Sequence, residues 1–209
     1  QPPPDIQLLP SDMLSRGERL SEKAESVLET MLRELDGTRE AIRECMHFAF
    51  DHVNSAPQVV TAISLALLDD KAEARHKIAL LFAVSDILVN AIHICGDMED
   101  AKLYKYGFDL TLPKIFASFA RKLRTIQGRI SVQNVKEQLV KVLQAWDKFS
   151  IFPGNVLDSY YHIFTEVEVR PDNVDGQPMR DSRDDIMQQY KRVKRTAPEP
   201  SHPAKRVKR

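Results

Sequence analysis

The sequence predicts an all-α fold: one domain of eight short helices stacked as a right-handed bundle, with disordered segments at both ends. Three observations support this prediction. Between residues 21 and 165, apolar residues recur at the three- and four-residue spacing of amphipathic helices, and no stretch alternates convincingly like a β-strand. Links of about two to six residues separate the helical stretches, as between antiparallel neighbours in bundles. No fixed-period self-similarity appears, so the pattern indicates one domain rather than a repeat array.

The first four predicted helices have recognisable starts. Ser21 can cap a helix that ends at residues 36–37, and Thr38 can cap the next one. Pro57 suits the first turn of a third helix, because its missing N–H has no partner there. The fourth helix contains residues 78–90 and is apolar almost all round, so neighbouring helices must cover it.

The second half of the domain predicts four more helices, with Pro113 as the main breaker. A fifth helix covers residues 99–111, and Pro113, which lacks a backbone N–H, is expected to open a sixth. Ser131 can cap a seventh helix. The pair at residues 153–154 then separates it from an eighth.

Composition changes sharply along the chain. Residues 1–20 are proline-rich and polar, so we expect a disordered lead-in, and residues 166–209 form a second disordered tail after the helical domain at 21–165. The chain has no net formal charge, yet residues 1–165 carry 19 basic and 22 acidic residues, whereas residues 190–209 carry 8 basic and 1 acidic. The domain is therefore not a general polyanion binder, and the extreme C-terminus is a basic tail.

The residue patterns do not predict an enzyme, a cofactor site or a metal site. The sequence has no phosphate-cradling glycine-rich loop, no paired-cysteine zinc spacing and no nucleophile elbow. Cys45 and Cys95 lie in helical segments, which suggests buried thiols in a reducing compartment. No uninterrupted apolar run approaches the about 18–20 residues of a membrane span, so we expect a binding domain without a membrane partner.

Polar residues interrupt one face of the apolar fourth helix. Asp86 and Asn90 are four residues apart and therefore lie one above the other, with Ser85 next to Asp86 in the sequence. A carboxylate on a core helix requires a partner or the opening of a groove. This face is therefore either a satisfied polar seam or a peptide-binding surface.

Two groups of basic residues are further candidates. At the start of the second helix, Thr38, Arg39 and Arg43 combine free backbone N–H groups, a helix dipole and arginines, which suits a phosphate. A solvated charged helix start is the alternative. A group around the sixth helix could contact RNA or a phosphopeptide, or could be scattered surface charge: Lys114, Arg121, Lys122, Arg124 and Arg129.

The C-terminal tail contains two basic clusters separated by nine residues. Extended basic pairs of this kind suit the acidic grooves of nuclear import receptors, so they predict a nuclear protein that binds an importin. Nonspecific attraction to nucleic acid is the alternative. The basic residues of the clusters are Lys191, Arg192, Lys194, Arg195, Lys205, Arg206, Lys208 and Arg209.

Several short motifs occur in a recognisable order. They are Val84-Ser-Asp86, Thr125-Ile-Gln-Gly128, Gln144-Ala-Trp-Asp147 and Ile151-Phe-Pro153, followed in the tail by Val174-Asp-Gly-Gln-Pro178. This order resembles the RNA polymerase II CTD-interacting domain (CID), in particular that of the U2 snRNP-associated, SURP-motif-containing splicing factors related to SR proteins. The tail motif is similar to the DGxP segments of that family. The resemblance covers about residues 20–164.

The resemblance implies an eight-helix right-handed bundle, related in architecture to VHS and ENTH bundles, whose groove binds phosphorylated heptad repeats of the polymerase tail. The second, fourth and seventh helices would wall this groove. Carried over by position, the peptide-binding residues are Phe82, Ser85, Asp86, Val89, Asn90 and Lys141.

The resemblance also implies where phosphate would bind. Lys141 falls where some CIDs place an arginine on a phosphoserine, and Arg39 and Arg43 fall near the start of the second helix, where others hold a different phosphoserine. Phe149 occupies a position where some CIDs have a second arginine.

The implied protein is a nuclear pre-mRNA splicing factor that couples splicing to transcription. Its partners would be the phosphorylated polymerase tail and U2 snRNP or other spliceosomal proteins, with RNA bound through other parts of a longer protein. The alternative is a spliceosomal scaffold domain that binds another U2 snRNP protein or RNA without reading the polymerase tail.

Overall fold

A computed structural model describes residues 8–94 and 99–165 of the chain, and these residues contain eight α-helices and no β-strand. The all-α fold class is therefore confirmed. All the described residues belong to one compact unit. The helices are α1 (Ser11–Leu14), α2 (Glu22–Glu34), α3 (Arg39–Asp51), α4 (Ala56–Leu68), α5 (Ala74–His93), α6 (Glu99–Thr125), α7 (Arg129–Lys148) and α8 (Gly154–Thr165), with a 3₁₀ turn at Val53–Ser55.

Local capping chemistry sets the starts of α2 and α3. The Ser21 hydroxyl accepts a hydrogen bond from the backbone N–H of Ala24 at 3.2 Å, and the Thr38 hydroxyl accepts one from Ala41 at 3.3 Å. Both predicted caps are thus confirmed, as is Pro57 in the first turn of α4. Each cap satisfies a backbone donor that the first helical turn leaves unpaired.

The predicted break at Pro113 is wrong, because α6 continues through it for 27 residues. Proline removes one helical hydrogen bond, but α6 packs against α4, α5 and α8. Leu112, Ile115 and Phe116, which flank Pro113, are completely buried. Packing on these neighbours outweighs the lost bond, so the predicted fifth and sixth helices form one rod about 40 Å long.

The expected disorder of residues 1–20 is wrong for residues 8–20, where α1 forms and Leu8, Leu9 and Met13 are buried. Met13 packs onto α6 at Gly107, where an added Cβ would lie only 2.9 Å from the Met13 methyl carbon. A few well-placed apolar side chains thus fix a segment whose overall composition is polar. Residues 1–7 lie outside the described residues.

The start of α7 also differs from the prediction. The helix begins at Arg129, and Gly128, rather than Ser131, occupies the N-cap position with a φ of 91°. Glycine adopts this backbone conformation without the steric cost that a side chain would add. In the Thr125–Gly128 motif, Thr125 therefore ends α6, and residues 126–128 form the link to α7.

Helix α5 lies at the centre of the bundle, where it packs against α3, α4, α6 and α7. By length and composition alone it could cross a membrane, but the surrounding helices bury 61% of its apolar stretch. A helix that neighbouring helices cover on most sides is as rich in apolar residues as a helix that crosses a membrane. Its central place accounts for the apolar sequence that made it conspicuous.

A buried polar cluster joins α5 to α6. The ammonium of Lys77 is fully buried and donates to the Ser118 hydroxyl at 2.7 Å. Burial lowers the pKa of Lys77, and the nearby carboxylate of Asp70 partly opposes this. Arg121 approaches the same carboxylate at 3.4 Å, and Lys122 donates to the Asp70 carbonyl at 3.3 Å. Two of the basic residues on α6 therefore hold the loop between α4 and α5.

Candidate functional site

The candidate surface runs along α5, which packs against both α3 and α7. Helices α3, α5 and α7 correspond to the second, fourth and seventh helices predicted from the sequence, which the resemblance assigns to the groove. Phe82, Asp86, Val89 and Asn90 recur at three- and four-residue spacing and so share one face of α5. Asp86 is exposed, and the other three are half-buried. The face thus combines apolar contact area with one carboxylate.

Ser85 is not part of this exposed face, which corrects its assignment as a peptide contact. It is buried, and its hydroxyl accepts a hydrogen bond from the Trp146 indole N–H at 3.1 Å. Trp146 is completely buried on α7. The pair fastens α5 to α7, so Ser85 positions the two helices and is not available to a ligand.

The carboxylate of Asp86 has a different environment. Among the described residues it receives no hydrogen bond or ion pair, and partial burial raises its pKa. The Asn90 amide donates to the backbone carbonyl of Asp86 at 2.8 Å rather than to its side chain. Asp86 is therefore a partly desolvated acceptor whose side chain can still receive a hydrogen bond from a ligand.

Lys141 is exposed on α7, as the prediction requires. Lys148, which none of the sequence motifs includes, lies seven residues later and hence on the same side of α7. The Lys148 ammonium lies 5.6 Å from the centre of the Phe149 ring. His93, in the last turn of α5, donates through Nε2 to the Phe149 carbonyl at 2.7 Å. The seven-residue spacing was the signal that would have identified Lys148.

The start of α3 is already occupied in part by the chain itself. The Asp36 carboxylate accepts a hydrogen bond from the Thr38 N–H at 2.9 Å, and this bond lowers the pKa of Asp36. The Thr38 hydroxyl serves as the helix cap. Arg39 and Arg43, four residues apart, are both exposed, with Arg43 3.9 Å from Glu40. The arginines, rather than Thr38, are the groups available to an anion.

Of the other residues that the sequence analysis singles out, some lie within the described residues and some lie outside them. Within the described residues, no group of three or more His, Cys, Asp or Glu side chains could hold a metal ion. Cys45 is buried, which raises the pKa of its thiol to about 12. Cys95, the DGxP segment and both basic clusters lie outside the described residues.

Comparison with known proteins agrees with this architecture. The sequence pattern of the CID domain family matches residues 26–160, which include all three helices of the candidate groove. The chain belongs to the CID family.

Two plant proteins resemble this CID. Protein RRC1 and Protein RRC1-like of Arabidopsis thaliana are 36% and 34% identical to it over 133 residues. The alignments cover 64% of this chain but 14% of each relative. The similarity thus concerns the CID and a small part of those longer proteins.

Proposed function

We propose that this CID binds phosphorylated heptad repeats of the RNA polymerase II C-terminal tail and thereby couples pre-mRNA splicing to transcription. The observation that carries the proposal is the carboxylate of Asp86, which has no partner among the described residues and lies on a half-buried apolar face of α5. A partly desolvated carboxylate favours a ligand that brings a hydrogen-bond donor and apolar surface together. A tyrosine-containing heptad peptide offers both.

Each group of the surface has a distinct role in this proposal. Asp86 accepts a hydrogen bond from the peptide backbone or a tyrosine hydroxyl, while Phe82 and Val89 contact its apolar side chains. Lys141 attracts a phosphoserine as a point charge, without the bidentate geometry of arginine. Arg39 and Arg43 supply a second cationic position at the start of α3.

A peptide titration separates these roles. We expect heptad peptides with zero, one and two phosphates to shift the backbone NMR signals of Phe82, Asp86 and Lys141 in the isotope-labelled chain. Asp86→Ala should weaken binding of every peptide by roughly 1–3 kcal/mol, because it removes a hydrogen bond to a charged acceptor. Lys141→Ala should remove only the preference for phosphate, and that preference should decline with salt.

The matched control is Lys23→Ala, which removes an exposed cation from α2, a helix outside the candidate peptide surface. It should leave both affinity and phosphate preference unchanged. If millimolar phosphopeptide shifts none of the three signals in the folded chain, the proposal is falsified.

A spliceosomal scaffold role is the second candidate, and the occupied start of α3 favours it. Asp36 places a carboxylate where a phosphate would approach Thr38, and this disfavours a second anion. A domain that docks another U2 snRNP protein or RNA would not require a phosphate site. This candidate predicts no heptad binding and no effect of Asp86→Ala or Lys141→Ala on peptide signals.

We also propose that the protein is nuclear and that its two basic clusters bind an importin. Replacing the eight Lys and Arg residues of the clusters with Ala should make a reporter fusion cytoplasmic while the helical domain keeps its melting temperature. The reporter must be too large to diffuse through nuclear pores. Undiminished nuclear accumulation would show that the clusters are not the import signal.

A further inference from the structure

A second groove lies between α2 and α3, away from the candidate peptide surface. Its volume is about 490 Å³, within the about 300–1,000 Å³ of typical ligand sites. At about 100° per residue, Ala41, which lines it, lies on the opposite side of α3 from Arg39 and Arg43. A ligand in this groove would therefore not compete directly for those arginines.

The floor of the groove is apolar. Val27, Met31, Leu35 and Ala41 line it, and Val27 is 45% exposed. Single exposed aliphatic residues are common on protein surfaces. Here, however, Val27 and the half-buried Met31 lie one turn apart in a concave site, so a ligand side chain could contact both.

The rim of the groove is acidic. Glu34, Asp36 and Glu44 line it, and none of the residues around the groove is Lys, Arg or His. The hydrogen bond from the Thr38 N–H lowers the pKa of Asp36 below its ordinary value of 3.8, so this carboxylate is charged at neutral pH, as an unperturbed one would be. Two cations lie near this rim: Arg33 donates to the hydroxyl of Thr30 at 3.3 Å, and Arg75 interacts electrostatically with Asp36. The three carboxylates therefore still outweigh the two arginines, and the local field attracts cations.

We propose that the α2–α3 groove binds a short basic segment of a protein partner, in which an aliphatic side chain is flanked by Lys or Arg. The aliphatic side chain contacts Val27 and Met31, and the flanking cations lie against Glu34, Asp36 and Glu44. Charge complementarity and the apolar floor together select this chemistry. A purely basic segment would gain nothing from the floor, and a purely apolar one would gain nothing from the rim.

The test uses the full 209-residue chain with the eight Lys and Arg residues of its two basic clusters replaced by Ala, because each cluster reads Lys-Arg-Val-Lys-Arg and would compete with the probe. The probe is a capped synthetic peptide, Lys-Arg-Leu-Lys-Arg, in about 0.15 M salt, where the Debye length is about 8 Å. We expect the peptide to shift the backbone NMR signals of Val27, Met31 and Ala41. The companion peptide Lys-Arg-Ser-Lys-Arg should bind several-fold more weakly. Equal affinity of the two peptides would overturn the proposal, since the apolar floor would then make no contribution.

Charge variants provide the second arm. Glu34→Gln with Glu44→Gln should weaken binding about three- to tenfold, as expected for two exposed ion pairs. The matched control, Glu25→Gln with Glu29→Gln, removes two carboxylates from the α2 surface that borders α4 instead, and it should leave affinity unchanged. Equal losses of affinity in the two double variants would indicate nonspecific attraction and would overturn the proposal. If the peptide shifts no backbone NMR signal of Val27, Met31 or Ala41, the site is excluded.

Discussion

Two ionisable residues on α5, nine positions apart, have contrasting environments. Lys77 is completely buried, yet its ammonium has a hydroxyl partner in Ser118 and a nearby carboxylate in Asp70. Asp86 is more exposed, yet its carboxylate has no partner among the described residues. Burial shifts both pKa values toward the neutral form, downward for the amine and upward for the acid.

The contrast separates a structural polar group from a candidate ligand group. A buried polar or charged group persists when the fold supplies its partners, as it does for the Lys77 ammonium and for the Ser85 hydroxyl. A partly desolvated charge without a partner is a better indicator of a binding surface, as at Asp86. Burial alone does not distinguish a structural group from a ligand-binding group, whereas the presence or absence of hydrogen-bonding and ionic partners does.

The largest effect should come from the structural group that holds α5 to α7. Trp146→Ala should lower the free energy of unfolding by roughly 3–5 kcal/mol, because it leaves a large cavity and removes the donor to Ser85. Chemical denaturation measures this loss. Phe149→Ala is the control, since Phe149 is 39% exposed and should cost much less. A variant as stable as the parent would show that Trp146 is not a core residue.

The next largest effect concerns Lys77. Lys77→Ala should be less stable than Lys77→Met by roughly 2–5 kcal/mol, because alanine leaves a cavity that methionine fills. Methionine itself should be close to neutral, since it removes a buried charge together with its desolvation cost. Similar unfolding curves for the two variants would show that the Lys77 side chain is not tightly packed.

Lys77 also predicts a dependence of stability on pH. Its folded pKa lies below the ordinary value of 10.5, so the unfolded chain binds the proton more tightly between these two values. The stability of the parent relative to Lys77→Met should therefore rise as pH increases through the folded pKa toward 10.5, and then level off. A difference that is independent of pH would contradict the lowered pKa.

The smallest effect on stability belongs to Asp86. Because its folded pKa lies above 3.8, the ionised carboxylate slightly destabilises the fold at neutral pH, and Asp86→Asn should stabilise it by less than about 0.5 kcal/mol. This gain should disappear below pH 3.8, where the acid is protonated in both states. The same variant should bind heptad peptide more weakly. A loss of stability at neutral pH would instead indicate a structural role.

Local signals in the sequence predicted most of the fold. Caps at Ser21 and Thr38 depend on residues only three positions away, and the sequence displays such pairs directly. The continuity of α6 through Pro113 depends on the packing of α4, α5 and α8, which local patterns do not encode. The ordered structure of residues 8–20 likewise depends on the burial of Leu8, Leu9 and Met13, which local composition does not indicate.

The candidate site was predictable in part. The spacing of Asp86 and Asn90 identified the face, because i and i+4 positions coincide on any helix. The burial of Ser85 depends on Trp146, 61 positions away, and no local pattern distinguishes it from its neighbour Asp86. The proximity of His93 to Phe149 is likewise a contact between distant segments.

The bond between Trp146 and Ser85 also gives the molecule an internal optical probe. Trp146 is the only tryptophan of the chain. Its indole N–H donates to Ser85, the residue that precedes Asp86 in the sequence. Indole emission responds to the polarity and hydrogen bonding of its surroundings. Movement of α5 against α7 would therefore change the fluorescence of the unlabelled protein, and the response would come from a single site.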